Sequence, residues 1–549
     1  MPTITLNKTV FERLVGKKLP LNTLKDRISM LGTDLERIEG NTIEVEVFPN
    51  RPDMLCEQGF ARAFSSFIGV KTGLRTYHVE TSKHQLIVEK TLPKEWTHAY
   101  ACIVRGLKFD DEKIREVIQI QEKLGVTMLR RRKKGGIGLY PLEKITFPIR
   151  FAGLDPDAIR FRPLEHDTTL TGRQILNKHP TGREYAHLVE GWKRFPVFID
   201  ANGVIMSMPP IINSHDVGKI DHTTTDVFLE ITGNDPKILR TALAIIATAL
   251  ADMGGRIQSI TCTQQDGTKE SMPNLAPKKM RFDLTHCNRW LGLKLTQAEA
   301  KALLARMGHG HQDKHALVAA YRADIMHPVD LFEDIAIAYG YDQFKEEIPN
   351  ISTIAKEHPL EVLGTRVATI LSGLGLLELN TYTLTNTRIQ RDNMRTDTDV
   401  VEVLNPVNVD YNAVKAWLVP TLLETLSKNK HNEYPQHIFD IGTVCKKGQS
   451  ESGVVEETHI AAALCDATAD YTKIRQVLDH LLRMLDIKYT IRATNHPSFI
   501  EGRAGAIIIN GHEAGLIGET HPEVLSNFEL TMPVAVLELT PSWLSSPIS

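Results

Sequence analysis

The chain has 549 residues, with 64 Lys+Arg against 67 Asp+Glu and a formal net charge of −3. Its 42% hydrophobic and 24% charged residues are those of a globular protein and exclude a mostly disordered chain, a collagen and a coiled coil. A single core stops growing near roughly 250–300 residues, so about three to five domains are expected, and the near-neutral charge argues against a bulk nucleic-acid coat while leaving room for a local basic footprint.

Residues 1–85 open with helical spacing at Val10, Leu14 and Val15, then at Leu24, Ile28 and Leu31, where Gly32 stops the second helix. Alternation from Ile43 to Val47 predicts a strand running into Phe-Pro-Asn-Arg-Pro-Asp at 48–53, a turn rich in proline and Asx residues. Gly59, Ala61, Ala63 and Phe64 give the next helix a small-residue face. Residues 86–272 mix helices and strands. The period predicts a helix over 112–124, followed by the basic run Arg130, Arg131, Arg132, Lys133, Lys134 and the pair Gly135-Gly136. After the segment 207–214, Ser-Met-Pro-Pro-Ile-Ile-Asn-Ser, comes a strand with Val227, Leu229 and Ile231 on one face and Phe228, Glu230 and Thr232 on the other. Pro236 starts a long Ala-rich helix ending near Gly254-Gly255. Residues 273–348 read as compact and mostly helical, with Thr296 and Glu299 in a capping box. Residues 349–549 start with helices and continue in apolar strands such as 504–509 and 534–539, and no repeat or low-complexity tract interrupts the chain.

No apolar run reaches the roughly 20 residues that span a bilayer, and the N-terminal residues lack the basic start and apolar stretch of a secretory signal. The six cysteines (Cys56, Cys102, Cys262, Cys287, Cys445, Cys465) contain no Cys-x-x-Cys pair. They fit small buried side chains in a reducing cytoplasm better than a disulfide framework or zinc site.

The sharpest local constellation is acidic. Pro328 suits a first helical turn, which puts Asp330, Glu333 and Asp334 at i, i+3 and i+4 on one face, with Asp324 just upstream. Four hard carboxylates near one point suit Mg²⁺; acidic residues also favour a first helical turn merely by offsetting the macrodipole. The basic run 130–134, beside two glycines, reads either as a flexible loop for RNA phosphates or as an exposed turn without a ligand.

The segment from Tyr321 to Phe344, with all four acidic positions, closely resembles the part of the phenylalanine–tRNA ligase beta-subunit family that carries a magnesium site near the alpha-subunit interface. Other motifs follow in family order over nearly the whole chain. These are 48–53 with Gly59 to Arg62 at the N-terminus; Gln121 to Leu124, Ser207 to Ser214 and Glu230 to Gly233 in an editing region; and His437 to Gly442, His496 to Phe499 and Gly518 to Pro522 in a catalytic-like module. The length resembles the short archaeal and eukaryotic form.

This resemblance implies an α+β multidomain protein. It has an N-terminal mixed domain (1–85), an α/β editing domain of the B3/B4 type (86–272), a small helical winged-helix-like domain of the B5 type carrying the acidic quartet (273–348), and a C-terminal class II synthetase-like antiparallel sheet module (349–549). The implied function is a non-adenylating subunit that supports ATP-dependent attachment of phenylalanine to tRNA(Phe) by an alpha subunit, in a cytoplasmic heterotetramer of two alpha and two beta chains with Mg²⁺. Adenylation needs cations on the ATP phosphates; the region 438–442 holds no arginine, and Glu519 stands where one is expected, so no adenylating residues are assigned. His496, Pro497, Phe499 and Arg503 read either as interface residues or as a turn with a satisfied histidine.

Tyrosine is phenylalanine plus one hydroxyl, and a hydrophobic pocket rejects an added hydroxyl by only about 10²-fold, so hydrolysis of mischarged Tyr-tRNA is the expected second sieve. The resemblance places that site at Ser207, Pro209, Asn213, Ser214, Glu230 and Thr232, with an apolar wall from Met208 to Ile212. Glu230 is the expected acceptor for the phenol, against the alternative of a solvated carboxylate on a half-exposed strand. Two loops depart from the family: Ile-Gly-Leu-Tyr-Pro at 137–141 replaces an Ile-Gly-x-His-Asp pattern, and Asn234 replaces a threonine, so the family histidine is missing. A second reading, resting on the helical region 273–348, is a non-enzymatic nucleic-acid-binding or regulatory protein on a synthetase-like scaffold.

Overall fold

A computed structural model describes residues 2–351 and 353–540. It is a mixed α/β chain with several sheets, divided into two compact units at residues 348 and 349.

In the first unit, the helices Lys8–Val15 and Leu21–Met30 flank a three-stranded sheet of Thr3–Asn7, Thr42–Glu46 and Asp34–Glu39. The Phe-Pro-Asn-Arg-Pro-Asp turn starts at the surface, with Pro49 and Asn50 exposed, and then runs inward. Every residue from Arg51 to Phe60 is buried, and Arg51 forms a two-pronged ion pair with Asp53 at 2.8 and 2.9 Å. Gly59 is required there, because a Cβ would overlap the Asp53 carbonyl oxygen. From this turn the helix Glu57–Phe67 sends Arg62 to Asp252 at 2.7 Å, to Tyr77 at 2.9 Å and over the Tyr321 ring at 4.0 Å.

A ten-stranded sheet forms most of the unit. Its path runs Ile212–Asn213, Ile205–Met208, Phe195–Ile199, Ile149–Leu154, Val79–Val88, Arg256–Thr263, His98–Arg105, Val227–Gly233, Gly135–Pro141, with Lys269–Met272 beside Arg256–Thr263. The strand Val79–Val88 straddles the division expected near residue 85. The path curls until its two ends meet: Tyr140 on the last strand lies 3.5 Å from Asn213 on the first. The helix Pro236–Asp252, capped by Asp235, packs against His98–Arg105 and Val227–Gly233. Residues 278–339 add the helices Leu284–Leu291, Gln297–Arg306 and Pro328–Tyr339 around an antiparallel sheet of Lys278–Arg281, His315–Val318 and Gly310–Gln312. The Thr296–Glu299 capping box forms as expected.

In the second unit, a seven-stranded sheet runs Leu377–Leu379, Gln436–Lys447, Val454–Cys465, Val534–Leu539, His512–Thr520, Phe499–Ile509, Tyr489–Ala493; only its first pair is parallel. Helices Pro359–Gly373 and Tyr471–Met484 pack one apolar cluster with the sheet, and Val419–Lys428 packs another. All six cysteines are buried and unpaired, and burial pushes the thiols of Cys56 and Cys262 up to about 12. Among the described residues no helix is long and apolar enough to cross a membrane.

Candidate functional site

The strand Val227–Gly233 is paired on both edges, and all 7 of its residues are buried. Its alternation separates two covered faces. On one, Leu239 of the helix Pro236–Asp252 meets Gly135 and Gly233, the face shared by Val227, Leu229 and Ile231. On the other, Phe228, Glu230 and Thr232 lie opposite Tyr140, Gly138 and Gly136. Glu230 is therefore 1% exposed, and the solvated-carboxylate reading is excluded.

Tyr140 Oη donates to Glu230 Oε1 at 3.1 Å. Burial pushes Glu230 up to about 8, against the hydrogen bond from Tyr140, which acts the other way. The Tyr140 phenol is held well above its ordinary range, first by burial and then by the Glu230 charge. The second oxygen of Glu230 and Thr232 Oγ1 are both buried with no hydrogen-bond partner among the described residues. Ser207 stands close enough to the Tyr140 hydroxyl to affect its ionisation, and Thr232 Oγ1 and Pro210 share the space over Gly136. The fold thus brings Ser207, Asn213, Glu230 and Thr232 together around Tyr140 as one polar cluster.

Other expected members lie apart. Ser214 turns its hydroxyl to the Asp216 N–H at 3.2 Å. Met208 and Ile211 pack into a separate apolar cluster with Ile159, Phe161 and Ile175, so the expected wall reduces to the Pro209-Pro210 turn, whose peptide bond is cis. Tyr140, which sequence reading treated only as a missing histidine, is the central member. The alternation Gly136, Gly138, Tyr140 was the available signal.

The basic run forms a hydrogen-bonded turn. Arg130, Arg131 and Arg132 adopt left-handed φ values of 49, 51 and 63°, and the N–H groups of Arg131 and Arg132 cap Val126 and Gly125 carbonyls at 3.1 and 3.0 Å. The cations follow the C-terminus of the helix Asp111–Val126, where the macrodipole favours them. Arg132 turns inward, donating to the Pro210 and Ile211 carbonyls at 3.1 and 2.8 Å and lying over the Tyr185 ring at 4.1 Å. Arg130, Arg131 and Lys133 face solvent.

The acidic quartet does not form one face. Pro328 begins the helix Pro328–Tyr339 as expected, but Asp334 points into the core and Glu333 to solvent, because the edge of the buried face of the helix falls between them. Asp334 Oδ2 accepts from His309 Nε2 at 2.6 Å and from Arg322 at 2.7 Å. Burial opposes its ionisation, yet Arg322 and His309 hold it well below the usual carboxylate range. Asp324 grips Arg322 through both oxygens at 2.8 and 2.6 Å. Asp330 accepts from the Met326 and His327 N–H groups at 2.7 and 2.6 Å. Glu333 is raised by burial and then by Asp334, Asp330 and Asp324. Among the described residues, ligand atoms of three acidic groups gather within 4.8 Å only at Asp34, Glu36 and Glu46, so the quartet is not a closed cage. Arg322 and His309, absent from the sequence reading, organise it.

In the second unit, the charges on the sheet pair internally. Lys415 lies 3.5 Å from Asp440, both nearly inaccessible. Glu538 accepts from the Leu418 and Val419 N–H groups at 3.0 Å and from His459 at 2.5 Å. Glu519 caps the helix Tyr471–Met484 through the Tyr471 N–H at 2.9 Å and pairs with Arg503. His496 accepts from the Ser498 N–H and lies between Trp417 and Phe499 at 5.8 and 5.1 Å, the geometry of a satisfied turn histidine.

Residues 345–540 match the phenylalanyl tRNA synthetase beta chain CLM domain, and residues 280–341 match the tRNA synthetase B5 domain. The chain is 37% identical over 548 residues to a phenylalanine–tRNA ligase beta subunit of Archaeoglobus fulgidus, covering 98% of both chains. It is 35% identical to that of Thermococcus sibiricus, again over 98% of each. An N-terminal fragment of the phenylalanyl-tRNA synthetase beta subunit of Pyrococcus horikoshii superposes with a TM-score of 0.59 at 32% identity, spanning 62% of this chain and 99% of the fragment. These likenesses give the non-enzymatic regulatory reading no support. Running end to end at such identity, they establish that the chain belongs to the phenylalanine–tRNA ligase beta-subunit family.

Proposed function

We propose that this chain is the non-adenylating beta subunit of a ligase in which a smaller alpha subunit uses ATP to attach phenylalanine to tRNA(Phe), in an assembly of two alpha and two beta chains. The carrying observation is the internal pairing of Lys415 with Asp440 and of Arg503 with Glu519. Phosphates of ATP need free cations, and these are already neutralised by carboxylates that would repel a nucleotide. Exposed apolar side chains crowd one stretch of the same unit, among them Leu377, Tyr382, Leu384, Leu404, Val409 and Tyr411. Exposed apolar side chains in such number suit a protein partner, and the alpha subunit is the partner the family name implies. Arg130, Arg131 and Lys133 are the cations available to tRNA phosphates.

Magnesium fits the donor chemistry around Glu333. It takes oxygen ligands and keeps several waters, so one or two carboxylates suffice. Glu333 and Asp330 would hold it, with Asp324 and Asp334 adding negative charge that Arg322 only partly offsets. When bound, the ion would supply positive charge to this acidic face.

Reconstitution tests the reading. The chain mixed with the alpha subunit forms Phe-tRNA, whereas the chain alone shows no phenylalanine-dependent ATP–pyrophosphate exchange; clear exchange by the chain alone overturns it. In the same preparation Glu333→Gln weakens Mg²⁺ binding by about tenfold, and unchanged affinity removes Glu333 from the site.

A further inference from the structure

We propose that Tyr140 is a built-in occupant of the phenol-recognition pocket, so that the side chain of a tyrosyl ester is shut out while Tyr140 is seated. The proposal rests on the reading of Glu230 and its neighbours as a tyrosine-recognising site.

The first support is placement. Tyr140 is 0% exposed, and its hydroxyl reaches Glu230 Oε1 at 3.1 Å and Asn213 Oδ1 at 3.5 Å. A phenol thus already makes the hydrogen bond that would select tyrosine over phenylalanine. The second is the trough that receives it. Gly136 and Gly138 leave an open track along the strand, and Tyr140 lies back over it; a Cβ at Gly138 would overlap both Glu230 Oε1 and the Tyr140 ring. The third is a surplus of polarity. Thr232 Oγ1 and Glu230 Oε2 are buried yet unpartnered among the described residues. Groups left unsatisfied in this way destabilise the fold. A pocket evolved only to bury its own tyrosine has no need of them, whereas an amino-acid ester carries groups that would pair with them. Arg132 holds the Pro209-Pro210 turn, and Pro210 stands over Gly136 beside the cluster.

The chemical consequence is direct. Proofreading adds water across the ester carbonyl, breaking the bond to the tRNA ribose and releasing tyrosine. With its phenol site filled from within, the chain does not hold that ester, and discrimination against tyrosine falls to the synthetic site of the complex.

The test uses the full chain assembled with its alpha subunit, with p-cresol and toluene as side-chain probes in calorimetry. The wild-type complex binds neither; Tyr140→Ala binds p-cresol, and toluene at least about tenfold more weakly, because toluene leaves Glu230 unpaired. Wild-type complex that binds p-cresol as tightly as Tyr140→Ala overturns the proposal, as does a folded Tyr140→Ala complex that binds neither probe. Should Tyr140→Ala fail to fold, nitration of wild-type complex with tetranitromethane decides. Tyr140 stays unmodified while the exposed Tyr341 reacts; equal reaction at both overturns the proposal. Phe-tRNA formation is read in parallel. Its absence sinks the ligase reading, whereas normal formation with either adverse probe result sinks the plug alone.

Discussion

Glu230 is a buried carboxyl whose ionisation is set by its surroundings. Its folded form holds its proton to about 8, against an ordinary value of 4.5, because burial disfavours the charge. Between those two values the folded chain therefore binds more protons than the unfolded one, and the first unit loses stability as pH rises through the window. Glu230→Gln removes that dependence while keeping an acceptor for Tyr140. The variant should show a melting temperature that falls less than wild type between pH 4.5 and 8; parallel profiles would mean that Glu230 is not desolvated. Its burial escaped sequence reading for a specific reason. Alternation told which residues share a face with Glu230, but whether that face meets water depends on strands and loops far away in the chain.

At the scale of elements, the basic run shows how the same residues divide their work. Three consecutive left-handed arginines, each costing about 1–2 kcal/mol, are held by N–H groups that satisfy the end of the helix Asp111–Val126. Replacing Arg130, Arg131 and Lys133 together by Ala should reduce the slope of log affinity for tRNA against log salt by roughly 0.7–0.9 for each lost phosphate contact, without lowering the melting temperature. Arg132→Ala should do the reverse, leaving the slope and loosening the Pro209-Pro210 turn. Equal effects from both would refute the division. Composition displayed the five cations; it could not show that one of them points inward to carbonyls 78 and 79 residues away. The acidic helix teaches the same lesson: its i, i+3, i+4 spacing was legible, but the edge of the apolar stripe falls between Glu333 and Asp334 and splits them into a solvent and a core residue.

At the scale of the whole molecule, the second unit carries a buried charge pair against its large sheet and exposed apolar side chains around residues 377–411. Tyr382→Asp combined with Leu404→Asp should abolish co-elution with the alpha subunit and with it Phe-tRNA formation, while the melting temperature of the chain alone stays unchanged because both side chains are already in water. Co-elution at wild-type levels would place the interface elsewhere.

Short-range information sufficed for much of this. Period, caps and turn residues determined the helices at Pro236 and Pro328, the capping box at Thr296 and the strand at 534–539, and the ordered motifs determined the family. These depend on residues within a turn or two of one another, where local geometry leaves few choices. The cluster was decided only in three dimensions. Tyr140 and Asn213 stand 73 residues apart and on opposite ends of one sheet; they meet because accumulated strand twist and packing curl that sheet back upon itself, a sum over every strand between them that no local pattern contains.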